Sequence, residues 1–301
     1  MFTFTKLFWH NTQNQKPKLF SISIIGFVIL LLLTILSMSP FNVLLQLWQF
    51  SVLSGNQNFT YLILMMVASI ILTICLFTML IFPFFVGVIQ AIHHSIVDGY
   101  TLQWKNLVGA FKKGVWGKTV LTGVFVLLFI VFTLIVYALV NAGVTFLIQK
   151  LFNLIRSTNN GQSFLQLIIS ILIVIASFVS SIVVWLAGIY ITHVAVSINE
   201  DATRSLKIHF KEAWRGMRNG HQTFFRFLLG LLLINLLFII INEPVNFLIQ
   251  QNLAHISQNI ANTLSIVLSI LLLLIRYFIY FILIGSIVQY FVRRGSQSPT
   301  L

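Results

Sequence analysis

The chain has 301 residues, of which 58% are hydrophobic and only 8% charged. A soluble domain carries about 25% charged residues, so a water-soluble globule is excluded and an integral membrane protein is implied. Lys and Arg outnumber Asp and Glu by 18 to 5, a net charge of +13; in so apolar a chain this excess points to membrane topology and anionic lipid rather than nucleic acid.

Residues 1–18 interleave Lys6, His10, Lys16 and Lys18 with Phe4, Leu7, Phe8 and Trp9, which predicts an interfacial lead-in. The apolar run from Leu19 to Leu36 exceeds the ~7–15 residues of a signal-peptide core. A first membrane helix is therefore expected at 19–37. Phe41, Leu44, Leu45 and Trp48 fall on one helical face behind Pro40. They predict a separate short amphipathic helix over 40–53 with proline at its first position, and Gly55–Asn58 as its outer loop. A second membrane helix runs from Thr60 to Ile92. That is longer than the ~20 residues a bilayer requires, and Pro83 is expected to kink it or mark its exit.

Residues 93–118 turn polar, with His93, His94, Asp98, Lys105, Lys112, Lys113 and Lys118. A third membrane helix is expected at 119–141, a second short helix at 143–150, an outer loop at 157–161 and a fourth membrane helix at 164–198. In the fourth, Ser177 with Ser181, and Ala176 with Ser180, form small-xxx-small pairs that let helices approach closely. Residues 199–222 form an amphipathic stretch. Arg204, Lys207, Lys211, Arg215 and Arg218 step by three or four along one face, and Leu206, Phe210, Ala213, Trp214 and Met217 make the other. Asn199 or Asp201 is expected to cap it. A fifth membrane helix at 223–242, a third short helix at 244–256 and a sixth span at 259–292 follow, before Arg293 and Arg294 open a polar tail.

The chain resembles itself three times. Residues 40–47 read PFNVLLQL, 143–150 GVTFLIQK and 244–251 PVNFLIQQ, at spacings of 103 and 101. Trp9, Phe111 and Trp214 keep that period, as do Gly87, Gly188 and Gly285 late in their apolar runs. Self-similarity of this kind indicates repeats. The expected fold is an all-α integral membrane protein with six transmembrane helices. It forms one membrane domain of three tandem repeats (1–100, 101–203 and 204–292), each an interfacial helix plus a helical hairpin, followed by the tail 293–301. Fifteen of the 18 Lys and Arg lie in 1–18, 93–118, 199–226 and 293–301. The positive-inside rule places those segments, and both termini, in the cytoplasm.

Arg276 is the one ionisable residue deep in an apolar run, between Leu274-Ile275 and Tyr277-Phe278. An intramembrane charge is a functional candidate by default. No Asp or Glu lies in a membrane run to meet it, so its partners are backbone carbonyls, Asn235, tyrosines such as Tyr137, Tyr190 or Tyr280, or an anionic ligand such as a lipid phosphate. Snorkelling or helix bracing is the competing account. Arg204, Lys207, Lys211, Arg215, Arg218 and Trp214, with Lys112, Lys113, Phe111 and Trp9, are the expected contacts with anionic lipid or a membrane partner. The histidines lack the spacing of a zinc site, and the single Cys75 builds none. No nucleophile–base pair, phosphate loop or metal clamp is legible. No metal, cofactor or enzymatic activity is therefore expected.

Glu200-Asp201, Ser205-Leu206, Ala213-Trp214 and the basic residues before Phe224-Phe225-Arg226-Phe227 resemble the membrane domain that precedes the catalytic barrel in some bacterial glycerophosphodiester phosphodiesterases. They also resemble related six-helix bacterial membrane proteins. The resemblance covers this loop, with an echo at 101–118. It implies a multi-pass protein of the bacterial cytoplasmic membrane. No barrel is expected in the chain, and no catalytic residue is transferred. The expected function is a non-enzymatic membrane component that binds or handles a lipid or amphiphile, or supports a partner that does. A transporter subunit for a small solute and an immunity factor against membrane-active peptides are the alternatives.

Overall fold

The computed structural model describes residues 2–54, 59–97, 101–156, 162–218, 222–253 and 258–296. Among them the chain is helical, with no strand: α1 (Thr3–Asn11), α2 (Lys16–Leu53), α3 (Phe59–Leu76), α4 (Phe82–Ile96), α5 (Trp116–Arg156), α6 (Gln162–Glu200), α7 (Leu206–Met217), α8 (Phe224–Leu253) and α9 (Gln258–Val292). A π turn at Phe77–Ile81 joins α3 to α4, and a 3₁₀ segment spans Trp104–Phe111. The predicted loops at 55–58 and 157–161 and the residue Asp98 lie outside the described residues.

Five stretches are long and apolar enough to cross a bilayer: Gln13–Leu53, Thr60–Ile96, Trp116–Lys150, Val174–Glu200 and Thr263–Val292. A shorter apolar stretch, Phe224–Ile240, lies within α8. The protein is a multi-pass helical membrane protein by these lengths.

The short helices predicted at 40–53, 143–150 and 244–256 are not separate. Each lies within a longer continuous helix, α2, α5 or α8, the last ending at Leu253. Pro40 is therefore inside a helix, not at the start of one. In lipid a broken backbone has no water to turn to, so a proline is carried through when a neighbour supplies the missing hydrogen bond. Pro40 leaves the Leu36 carbonyl without its intrahelical donor, and one residue along Thr73 Oγ1 of α3 donates to the Ser37 carbonyl at 2.8 Å, tying α3 to this turn. Pro83 is bridged directly. Its missing N–H would have served Met79, and the Trp116 indole N–H donates to the Met79 carbonyl at 3.2 Å. The π turn ahead of it, with the Phe82 N–H on the Phe77 carbonyl, absorbs the ring.

The helices group into two compact units. One comprises Met1–Phe8, Ile130–Ile191 and Gly216–Leu301; the other comprises Trp9–Phe129 and Thr192–Arg215. The core of the first is aromatic. Phe227 and Tyr290 stack at 4.3 Å and 7°, and Phe4 meets both edge-on. Ile189, Leu231, Leu283 and Ile287 close around them. Phe8 lies over Gly285, and Ser286 Oγ donates to Thr5 Oγ1 at 3.0 Å, so α1 is pinned to α9 rather than lying free.

In the second unit α2 packs on α3 and α4, and the 3₁₀ segment packs on α4. Gly87 lets that segment in: a Cβ there would strike the Leu107 carbonyl. Gly109 admits the Gln90 amide in the same way. Asn106 Nδ2 donates to His94 Nδ1 at 3.1 Å, and Gln15 Oε1 receives the Leu102 N–H at 2.9 Å. Asn199 lies within the last turn of α6 instead of capping α7, and its Nδ2 donates to the Val86 carbonyl at 3.1 Å.

Candidate functional site

Arg276 stands near the middle of α9, 18 residues after Gln258 and 16 before Val292. At ~1.5 Å rise per residue it is about 24–27 Å from either end. Its guanidinium lies over the Phe238 ring at 5.1 Å, and among the described residues it faces no carboxylate. It lines a cavity of about 420 Å³ in the first unit. Asn235, Phe238 and Ile239 come from α8, and Tyr280 joins Arg276 from α9. Ser177, Ser180, Ser181, Val184, Trp185 and Gly188 come from α6, and Tyr137 from α5.

The structure thus brings together Arg276, Asn235, Tyr137 and Tyr280 from the sequence-derived set, while Tyr190 is not part of the wall. The serine pairs have a different role from the one their spacing suggested. They do not only permit close packing; they form the polar wall of the cavity. The stripe Ser177, Ser180, Ser181, Val184 and Gly188 on one face of α6 is the signal that could have revealed them. Ser180 is 3% exposed, and its hydroxyl is sealed with no hydrogen-bond partner among the described residues. Ser181 Oγ donates to the Phe178 carbonyl at 2.7 Å. Asn235 is 4% exposed. The Trp185 and Tyr280 rings meet edge-on at 5.6 Å and make the aromatic side. The cavity is open-sided, because Val184 and Arg276 are exposed in the protein alone.

The basic residues at 204–218 form a second, surface feature. Helix α7 begins at Leu206, and its buried side is His209, Ala213 and Gly216. Lys207, Lys211, Arg215 and Arg218 are exposed as expected. Trp214 is not on the opposite face: it is 54% exposed, in register with Lys211 and Arg218. The buried side holds the small residues Ala213 and Gly216 beside His209. Arg204 pairs with Asp201 at 3.2 Å and Arg215 with Glu212 at 3.1 Å. Asp201 also accepts from the Thr203 hydroxyl and N–H, and these bonds hold its carboxyl below the usual range.

His209, absent from the expected set, is the anchor of α7. It is buried and bonds Ser197 Oγ through Nδ1 at 3.1 Å. His193 Nδ1 bonds the Ala213 carbonyl at 3.3 Å. Burial pushes the His209 pKa below 6.5; Arg204 lowers it further, Asp201 opposes and Lys118 adds to the fall. Lys112, Lys113 and Trp9 are exposed, Phe111 is half-buried at the end of the 3₁₀ segment, and Lys16 sits over the Trp9 ring at 4.4 Å.

No protein-family model, curated protein or solved structure matches the chain.

Proposed function

We propose that this protein binds an anionic amphiphile, a lipid phosphate, in the Arg276 cavity without chemically transforming it. One observation carries the reading: a guanidinium in the middle of a spanning helix, in an open-sided cavity, with an aromatic ring but no carboxylate among its described neighbours. Burying Arg at mid-bilayer costs about 2.5–3.5 kcal/mol on insertion scales and several-fold more in simulations. A cation–π contact returns only ~0.5–2 kcal/mol. The remainder is what a phosphate would supply through a bidentate pair. The basic, Trp-bearing face of α7 fits the same lipid chemistry as an in-plane contact with anionic headgroups.

The finer topology belongs to this proposal. Six crossings from three repeats, with both termini on the cytoplasmic side of a bacterial cytoplasmic membrane, are supported by the fifteen basic residues in the four lead-in and tail segments. They are supported too by a recurrent docking pattern. The 3₁₀ segment rests on α4, α7 rests on α6, and α1 rests on α9. In each case a lead-in segment meets the second helix of a hairpin. The likeness of residues 199–227 to phosphodiesterase membrane domains stands with this reading as a proposal. A transporter of a small polar solute is the second reading, favoured by the hydroxyl-lined wall of α6.

The test is lipid retention. Protein extracted in mild detergent should keep an anionic phospholipid through native mass spectrometry, and Arg276→Leu should lose it while, once both are delipidated, it unfolds at the same temperature as the parent. Retention equal to the parent protein would overturn the proposal.

A further inference from the structure

Side chains three apart eclipse in a 3₁₀ helix, so the segment Trp104–Phe111 carries three rows. Two of them, Asn106 with Gly109 and Leu107 with Ala110, are buried. The third, Lys105, Val108 and Phe111, turns away from α4, and Trp104 stands beside it. Trp104 is 48% exposed and Val108 53%. We propose that this outer side is a membrane-surface contact for anionic phospholipid. Trp104 and Val108 sit among the upper acyl chains, and Lys105, Lys112 and Lys113 reach the phosphates. The contact belongs to the second unit and does not depend on the Arg276 cavity.

Depth is the first support. The segment lies along α4 rather than beyond its end. Leu107 passes Gly87, Gly109 receives the Gln90 amide, and Asn106 bonds His94 at 3.1 Å. Gly87 precedes the helix end at Ile96 by nine residues, about 14 Å. The span Thr60–Ile96 has 37 residues, about 55 Å of helix, against ~30 Å of hydrocarbon. Centred in the bilayer, it leaves about 12 Å beyond the hydrocarbon at each end. The segment therefore straddles the layer where acyl chains give way to headgroups. Its orientation is fixed as well. A Cβ at Gly87 would meet backbone, and the Leu102 N–H is held by Gln15 Oε1 at 2.9 Å, so the outer row cannot roll inward.

That layer suits the two residue types displayed. An indole, apolar with one polar edge, partitions there, and a lysine lays its stem on apolar surface with its ammonium among the phosphates. Charge then selects the lipid. From Thr101 to Lys118 the sequence holds four lysines and no Asp or Glu. Lys118 is engaged, donating to the Thr203 carbonyl at 2.7 Å. Lys105, Lys112 and Lys113 are exposed and meet no carboxylate among the described residues. In a zwitterionic surface each phosphate brings its own ammonium; an anionic surface offers these cations a net opposite charge.

The test uses full-length protein and Trp104→Phe in nanodiscs of phosphatidylcholine with increasing phosphatidylglycerol. The difference between their emission spectra isolates Trp104. That component should be quenched more strongly by bromines near the glycerol end of the acyl chain than by bromines near its tip, and hardly at all by aqueous iodide. It should shift to the blue as phosphatidylglycerol rises. Lys105→Gln should raise the half-saturating phosphatidylglycerol fraction roughly fivefold, and neutralising Lys105, Lys112 and Lys113 together should abolish the response. Arg276→Leu should leave it intact. Quenching by iodide but not by bromolipid would place the segment in water and overturn the proposal. So would a Trp104 signal indifferent to phosphatidylglycerol, or a triple variant that responds like the parent. The same blue shift from inorganic phosphate would overturn the membrane as its source. Loss of the response in Arg276→Leu would assign it to the cavity and overturn a separate contact, whereas lipid retention unaffected by that substitution would defeat the cavity reading alone.

Discussion

Gly87 and Gly188 stand 101 positions apart, each late in its apolar run, yet a methyl group should act on them in opposite directions. At Gly87 a Cβ would overlap the Leu107 carbonyl oxygen and stand 2.6 Å from its carbon and 3.1 Å from the Asn106 oxygen. These are backbone atoms of a segment packed along α4, so no rotamer change relieves them. Forcing an extra carbon into such a site costs about 1–3 kcal/mol, here toward the upper end, against ~1 kcal/mol that Ala gains over Gly in a helix. Gly87→Ala should therefore lose about 2 kcal/mol. At Gly188 nothing lies within 4 Å of the added Cβ. Only the propensity term remains, and Gly188→Ala should gain ~0.5–1 kcal/mol. The assay is equilibrium unfolding in mixed micelles followed by tryptophan fluorescence, with both variants measured beside the parent. A Gly87→Ala protein as stable as the parent, or two variants equally damaged, would refute the close approach of the 3₁₀ segment to α4.

Gly285→Ala should also destabilise, because its Cβ would enter the ring of Phe8, which is 1% exposed and has nowhere to move; faster hydrogen exchange in Thr3–Phe8 would report the undocking of α1. Trp116→Phe keeps most of the ring but leaves the Met79 carbonyl beside Pro83 unserved, which should cost about 1–2 kcal/mol in the same micelle titration; an unchanged midpoint would show that the indole bond is not formed. For His209 the sign follows from its lowered pKa. Its docked ring stays neutral, so the stabilisation is fully present above the free value of 6.5 and is lost as pH falls through the lower, docked value. Protection factors of α7 amides, taken against the intrinsic exchange rate at each pH, should therefore fall from pH 7.5 to 5, and His209→Gln should flatten that dependence; a variant as pH-sensitive as the parent would assign the effect to another group.

Composition alone made this a membrane protein, because a chain with 8% charged residues cannot clothe itself in polar surface. Hydropathy runs placed the long helices, since ~20 apolar residues leave the backbone no other solution in lipid. The isolation of Arg276, with Asn235 and the tyrosines as its candidate company, was also legible, because acids are so few that their absence can be read directly. Tertiary structure decided what one-dimensional patterns leave degenerate. Pro40 looked like a helix start because a proline fits both a first turn and a helix interior; only the continuous helix Lys16–Leu53, packed on α3, tells them apart. The helical pattern put Trp214 with the apolar face of α7, but the side that docks is His209, Ala213 and Gly216, and Trp214 is exposed. Ser180 became a cavity wall, and Gly87 and Gly188 parted ways, because the space beside a residue is set by segments distant in sequence, and a local pattern records only which face a side chain takes.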